Sequence, residues 1–424
     1  MLGQRKIYYF FFLFLSIIPL SIIFGSSISL INIVLVSGFI LIILIYQKEI
    51  YFINNFAIKS MLILYFYLIF NTFISLDYLV GASRNLGFLR FILLFICINY
   101  FFFKYQNASN IFYFWITIIA ILALDAHVEF FFGKNIFGWG AVEINGIKQP
   151  HGNRIVSFFK DEPIVGAYLS GFILTVFGFL LQKFKFKSIL PWLFILITFS
   201  AILISGERSN TIKIFFGLIL MFLFFDFINL KKKFIIINIA ILFLVIIFSQ
   251  SEYLKTRYFY QFIFNFSSKE KFQNFISESD YFKLYRSGIA VFKNYPVLGV
   301  GNKNYRVETC SDEEKNKKYN YYCLTHPHQI YIEFLAEHGI VGTLIILSIF
   351  FTLMFKILLN ILVSRNYIQI GSFCFIIFIF TPLLPSGAFF NDFNSTILWL
   401  NISLMFASCK NTNIFSYKPF IKGR

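Results

Sequence analysis

Charge is what this chain has least of. Only 13% of its 424 residues are Asp, Glu, Lys or Arg, whereas soluble domains carry about a quarter of their residues as charges. Acidic residues are scarcer still, 20 against 37 basic ones. No Asp-x-Asp pair occurs, so the usual acidic clamp for Mg²⁺ is missing. No Cys-x-x-Cys pairing supports a zinc site. The first apolar run lacks a small-residue cleavage site and is followed at once by a second, so it reads as a retained span rather than a removed signal peptide. No internal repeat stands out, and the Phe, Ile, Lys and Asn bias carries no chemistry.

What the sequence does have is apolar length. Hydrophobic residues make up 58% of the chain, and runs of about 17 to 22 of them recur, each enough to cross about 30 Å of hydrocarbon. Twelve spans are predicted, near residues 7–24, 27–46, 58–75, 88–103, 110–131, 164–182, 188–205, 211–229, 233–249, 340–362, 367–386 and 394–408. The first pair also reads as one bent hairpin, and the fourth span carries Arg90. The expected fold is all-α and polytopic, with about twelve transmembrane helices and a large helical outer loop. Residues 1–249 would supply the first helices and short outer loops, 250–339 the large loop, and 340–424 the last helices and a tail. Within the large loop, helices are predicted at 253–264, 279–292 and 327–338.

A formal charge of +17 invites a nucleic-acid reading, but the basic residues sort by connection. Arg5, Lys6, Lys48, Lys59, Lys104, Lys183, Lys185, Lys187, Lys231 to Lys233, Arg365, Lys410, Lys418, Lys422 and Arg424 fall on alternate sides of the spans. By the positive-inside rule these are the cytoplasmic connections, with both termini inside. The excess charge is therefore a topology signal, with attraction to membrane lipids secondary, and no nucleic-acid partner is implied. The other polar features then share the outer face: Arg84, Arg154, the GERSN turn with Arg208, the large loop, and the SGAFFND turn with Asp392. In a Gram-negative cell that face is periplasmic.

Cys97, Cys374 and Cys409 sit in or beside apolar spans and read as packing residues. Cys310 and Cys323 share the outer loop, in a compartment that permits oxidation. A disulfide is favoured over two free thiols there, and would remove about 3 kcal/mol of denatured-state freedom.

The most specific stretch is Thr325 to Thr343, THPHQIYIEFLAEHGIVGT. His328-Gln329, nine residues, Gly339, two residues and Gly342-Thr343 follow a fixed spacing that resembles the bacterial O-antigen ligase and O-antigen polymerase family. Further resemblances are Arg208 in its turn, Arg286 in the segment leading to Pro296-x-x-Gly299-x-Gly301, and Arg154 ahead of a Phe and a Pro before a span. Where many members have an Asn-Pro type turn, this chain has Asp161-Glu162-Pro163, which a surface pairing with Lys160 would also explain.

The resemblance implies a membrane glycosyltransferase of the large-loop polyprenyl-sugar transferase type, taking a glycan from undecaprenyl diphosphate. No metal or cofactor would be needed. Arginine, with its planar donor fork, would hold the diphosphate, in the persons of Arg208 and Arg286, with Arg154 and Arg306 as further binding candidates. His328 would be the base, at the positive end of a helix capped by Thr325 and opened by Pro327, where the dipole keeps imidazole neutral. His326 and Gln329 would meet the acceptor. Ordinary readings stand beside these: Arg208 snorkelling and pairing with Glu207, Arg286 as an amphipathic-helix charge, His328 as a helix-start hydrogen-bonder, and Glu333 and Glu337 as a solvated face. A zinc site from His326, His328 and His338 matches no standard spacing.

The expected activity is inverting transfer of the glycan to a lipid A-core hydroxyl. Polymerisation onto a second lipid-linked repeat, transfer to protein, and, from another class, a lipid-linked glycan flippase are the alternatives. A flippase would keep charges within its spans. Reporter fusions after Lys187 and Lys233 should read cytoplasmic and those near Arg208 and Asn320 periplasmic; reversal at either outer site would undo the common face.

Overall fold

The computed structural model describes residues 3–47, 51–140, 154–160, 162–184, 186–226, 228–261 and 263–416. Lys48, Asp161, Lys185, Lys418, Lys422 and Arg424 lie outside them. The regular structure of the described residues is all helical, with no strand among them. In chain order the helices are α1 (Gln4–Ser16), α2 (Ile18–Ile23), α3 (Ser26–Gln47), α4 (Phe56–Phe73), α5 (Tyr78–Gly87), α6 (Leu89–Lys104), α7 (Ile111–Phe132), α8 (Val165–Phe184), α9 (Ile189–Ile204) and α10 (Arg208–Leu223). They continue with α11 (Leu230–Gln250), α12 (Glu252–Leu254), α13 (Lys269–Glu278), α14 (Asp280–Asn294), α15 (Tyr305–Thr309), α16 (Glu313–Tyr319), α17 (Ile330–Ser364), α18 (Tyr367–Ile379) and α19 (Asp392–Ala407).

Each predicted span coincides with a helix or helix pair, because an apolar backbone in lipid must satisfy its own hydrogen bonds. Seven helical stretches among the described residues are long and apolar enough to cross a membrane. The protein is a polytopic helical membrane protein. Its centre is α8, buried along almost its whole length among α7, α9, α10, α18 and α19. There Thr175 donates to Asn401 Oδ1 at 2.6 Å and meets Ser372 Oγ at 3.0 Å, so the polar atoms of three packed helices satisfy one another. Arg90, anomalous in an apolar span, engages Asp392 at the start of α19, together with Arg84 from α5.

Three expectations need correction. The first span is bent into α1 and α2 at Ile17, next to Pro19. The predicted 253–264 helix is instead broken, passing from α12 into a single π-helical turn, Lys255–Tyr260, and then a 3₁₀ turn. The span predicted to reach residue 386 stops at Ile379, and Thr381 to Asn391 form a turn rich in Pro and Gly.

The predicted 327–338 helix and the 340–362 span prove to be one element, α17, broken at Gly339 (φ 60°, ψ −169°). The break frees the Ala336 and Glu337 carbonyls and the Ile340 and Val341 amides from their mutual i to i+4 bonds. All four are taken up by the Pro296-x-x-Gly299-x-Gly301 turn. Val300 N donates to Ala336 O (3.0 Å) and Gly301 N to Glu337 O (2.9 Å), while Ile340 N donates to Pro296 O (2.9 Å) and Val341 N to Val297 O (3.2 Å). Gly299 (φ 72°) lies against the Glu337–His338 backbone and Gly339 against Val297, leaving no room for a Cβ at either. Gly301 abuts Ser75 and Gly342 abuts the Tyr67 hydroxyl. At 35 residues, α17 is longer than about 20 residues of membrane crossing requires, and its first nine residues, before the break, belong to the outer layer.

The conformation at Gly339 is one that only glycine adopts readily, at a cost of about 1–3 kcal/mol for other residues. Gly339→Ala should lower stability by at least that much and expose the 296–301 turn to protease. Thermal unfolding with limited proteolysis in detergent checks both; an unchanged Tm would contradict the docking.

Candidate active site

Polar groups from distant parts of the chain gather at one end of the bundle, where α8, α10, α17 and α19 begin. At the opposite end, Arg365 pairs with Asp226 at 3.0 Å and Lys233 donates to Leu223 O at 2.7 Å, so the alternation of connections in sequence is also a separation in space.

The first group is arginine-rich. Arg208 opens α10 and donates from Nη1 to Gln261 O (3.0 Å). Arg257, on the π-helical turn, reaches Gly206 O (2.7 Å) and Gln261 Oε1 (2.9 Å). Arg154 lies close enough to both to share their electrostatics, and its Nε is buried without a partner among the described residues. Its backbone neighbourhood is held by two buried acids of α7: Glu129 accepts from Val156 N and Ser157 N, and Asp125 accepts from Ser157 Oγ and Ile136 N. Burial, then Arg257, weakens the hold of Arg208 on its proton; burial does the same to Arg257.

Glu207 does not pair with Arg208, as the snorkelling reading had it. It turns to the start of α8, accepting from Gly166 N (2.5 Å), Ala167 N (3.1 Å) and Asn210 Nδ2 (2.7 Å). Those unpaired first-turn amides need an acceptor, and Glu207 supplies it. Burial pushes its carboxyl up to about 7 against the pull of those donors and of Arg154.

The second group is the histidine pair. Gln329, not Thr325, caps α17, accepting from Ile332 N at 2.9 Å, and the helix starts at Ile330 rather than Pro327. His328 therefore precedes the helix, in a left-handed conformation (φ 55°) that non-glycine residues adopt uncommonly. Ser386 N holds its carbonyl at 2.9 Å. The His328 ring lies 3.9 Å from that of His326 and meets the ring of Tyr281 edge-on at 5.9 Å. Burial lowers the affinity of His328 for a proton, and burial followed by the His328 charge pushes His326 down to about 3. Both shifts favour the neutral imidazole.

Two links join the groups. The Tyr281 phenol interacts electrostatically with Arg208 and Arg257 and touches His328. The Pro385–Ser386 turn receives Ser209 Oγ (2.7 Å) and Lys213 Nζ (2.9 Å) on the Pro385 carbonyl while Ser386 binds His328.

Beyond His326 lies a cavity of about 190 Å³ lined by Asn302, Lys303, Arg306, His326, Glu333 and Glu337, with Phe390 and Asn391. Glu333 and Glu337 are not a solvated face: they are 2% and 1% exposed. Glu333 accepts from Phe389 N (2.9 Å) and Glu337 from Tyr305 N (3.3 Å). Burial pushes Glu337 up to about 7, and burial together with Glu337 holds Glu333 well above the carboxylate range. Arg306 stands exposed at the cavity wall. His338 is turned elsewhere, its Nδ1 3.1 Å from Tyr67 Oη.

Arg286 is not brought to this cluster by any described contact. It is exposed and donates to Ile276 O and Ser277 O at the end of α13 (3.3 and 3.0 Å). Cys310 and Cys323 are bonded, closing the loop that carries α16. Sequence reasoning missed Arg257, Tyr281, Lys213 and the Pro385–Ser386 turn. Of these only Arg257 left a local trace, a cation set in the aromatic run KTRYFY.

Fold and site together define a membrane protein that concentrates arginine, neutral histidine and buried carboxyl at one end of its helices. Residues 192–347 match the family model described as O-antigen ligase, a stretch holding Arg208, Arg257, Arg286, His326, His328, Gly339 and Gly342. Over those residues the chain is similar to the O-antigen ligase family, which supports an O-antigen ligase-type function in general terms. No curated protein matches the chain.

Because the folded pKa of Glu207 is raised, its contribution to stability is full below about pH 4.5 and is lost as pH rises through about 7. The sign follows from the folded state binding more protons than the unfolded one in that window. The stability difference between wild type and Glu207→Gln should therefore shift toward the variant by up to about 3 kcal/mol between pH 4.5 and 8. Denaturation midpoints across pH read this; a constant difference would refute it.

Proposed function

We propose that the chain is an O-antigen ligase that moves a glycan from undecaprenyl diphosphate to a lipid A-core hydroxyl, on the periplasmic face of the inner membrane, with both termini cytoplasmic. The observation that carries this reading is the Arg154–Arg208–Arg257 group joined through Tyr281 to a neutral His328. Three clustered guanidiniums suit a diphosphate, whose negative charge grows as it leaves. A neutral imidazole suits a base.

In the reaction, the acceptor hydroxyl oxygen attacks the anomeric carbon and its proton passes to His328. The bond from that carbon to the diphosphate oxygen breaks, and the electron pair leaves with undecaprenyl diphosphate, held by Arg208 and its neighbours. A single displacement inverts the anomeric centre. The protonated imidazole returns its proton to water. Arginine in place of a metal makes the reaction metal-independent. Arg286 would act from the loop surface, steering donor toward the cluster.

His328→Ala should slow transfer by about 10²–10⁴-fold, the usual worth of positioned proton transfer, while membrane abundance and donor binding hold. Arg208→Lys keeps the charge but loses the fork and should also impair turnover. EDTA should leave the rate unchanged. Purified protein with undecaprenyl-diphosphate glycan and each acceptor measures all three. Lipid A-core product supports ligase, and a ladder of lengthened lipid-linked chains would make it a polymerase. Full activity in His328→Ala, or EDTA loss restored by Mg²⁺, would sink the mechanism.

A further inference from the structure

The cavity beside His326 is built, not incidental. Buried polar side chains ordinarily find partners, yet His326 Nε2, Glu333 Oε2 and Glu337 Oε2 are all buried without one among the described residues. All three residues line the same cavity. Each side chain is otherwise fixed: His326 by Thr325 (3.0 Å) and the Ser386 main chain, Glu333 by Phe389 N, and Glu337 by the Lys303 and Tyr305 main chain. A held side chain with one free polar atom is arranged for something that enters.

The lining specifies what that is. A cavity of about 190 Å³ is smaller than the roughly 300–1,000 Å³ of drug-sized sites, so it takes a single ring. Two carboxyls and an imidazole offer acceptors, and the proton that two adjacent buried carboxyls must share offers a donor. Asn302 and Asn391 supply amide groups, and Phe390 an apolar wall. Lys303 and Arg306 on the same lining outweigh the single negative charge that two carboxyls sharing a proton carry, which leaves no call for a cationic ligand. Hydroxyl partners beside an aromatic side chain are the chemistry of a pyranose.

Position decides which sugar. The order across the site is arginine group, Tyr281, His328, His326, cavity. In a displacement at an anomeric carbon, the leaving diphosphate and the attacking hydroxyl lie on opposite sides. With diphosphate at the arginines, the cavity is on the attacking side.

Resting on the glycosyl-transfer reading above, we propose that this cavity is the acceptor subsite, holding one hydroxyl-bearing pyranose of the acceptor glycan against Glu333, Glu337 and His326, with Phe390 beneath it. Glu337 and Arg306 thereby set acceptor affinity and leave the lipid diphosphate alone.

The test measures binding in full-length protein in nanodiscs, with no transfer required. Lipid A-core is titrated alone, and undecaprenyl diphosphate alone, into wild type, Glu337→Gln, Arg306→Ala and Arg208→Lys. Glu337→Gln is isosteric, and Arg306 is exposed, so the second variant remains informative if the first misfolds. Lipid A-core should bind Glu337→Gln and Arg306→Ala at least about tenfold more weakly than wild type and Arg208→Lys about as well as wild type. Undecaprenyl diphosphate should show the reverse pattern. Unchanged lipid A-core affinity in both cavity variants would overturn the proposal even with transfer intact. Weakened undecaprenyl diphosphate binding in those variants would overturn it too, by moving the cavity to the donor side. Cavity-dependent lipid A-core binding without any transfer would keep the subsite and reject the ligase reading.

Discussion

Four backbone hydrogen bonds between the 296–301 turn and the broken helix at Gly339 organise the outer face. A helix interrupted inside a protein leaves amides and carbonyls that cannot remain unpaired. Here the turn takes both carbonyls and returns both amides, so the large loop is tied into the ladder of a membrane-crossing helix. The same turn is bonded on its other side to the body: Leu76 N meets Val300 O at 3.0 Å, Asn302 N meets Asn71 Oδ1 at 2.8 Å, and Asp77 N meets Asn304 Oδ1 at 2.7 Å. Lys303, Tyr305 and Arg306 follow directly from it. The cavity wall, the orientation of Glu337 and the path of the loop back to His328 are consequences of one backbone exchange.

That exchange explains which glycines the chain has where. Gly299 faces the Glu337–His338 backbone and Gly339 the Val297–Leu298 backbone, both at positive φ, and a Cβ on either would meet main chain rather than a movable side chain. The fixed spacing from His328 through Gly339 to Gly342 is then a matter of geometry. His328 must precede α17 by one cap residue, the break must fall where the turn docks, and Gly342 must clear Tyr67, which holds His338.

Much of the fold was legible because lipid imposes a local rule. Each span must be apolar for its own length, and each connection shows its side by its charges. The histidines, Arg208 and Arg154 were legible as motif residues. What escaped was everything made by pairing across distance. Arg257 reaches Gly206 over a separation of 51 residues and Lys213 reaches Pro385 over 172; no local pattern encodes either. Glu333 and Glu337 were read as solvated because their spacing is that of an ordinary exposed face, and only the docking of the turn and of Phe389 against α17 buries them. Thr325 and Pro327 carry the composition of a helix start, but Gln329 takes the cap, which leaves His328 in a strained backbone.

That strain fits the rest of the site. A residue held at φ 55° persists when its surroundings over-determine it. Here Ser386 grips the His328 carbonyl and His326 stacks on one side of its ring. Ser386 thus fixes the backbone of His328, and its main chain also acts on the imidazole. Glu207 follows the opposite logic: its carboxyl is engaged by Gly166 N, Ala167 N and Asn210 Nδ2, and it serves the start of α8 instead of the arginine beside it. Two polar residues prominent in the sequence thus part ways, one built into the scaffold and one held ready at the junction of a cationic surface and a carboxyl-lined cavity. Arginines alone would bind an anion, and the cavity alone a sugar; His328 lies between them, against Tyr281 on one side and His326 on the other, which is where a proton must move if the two ligands are to react.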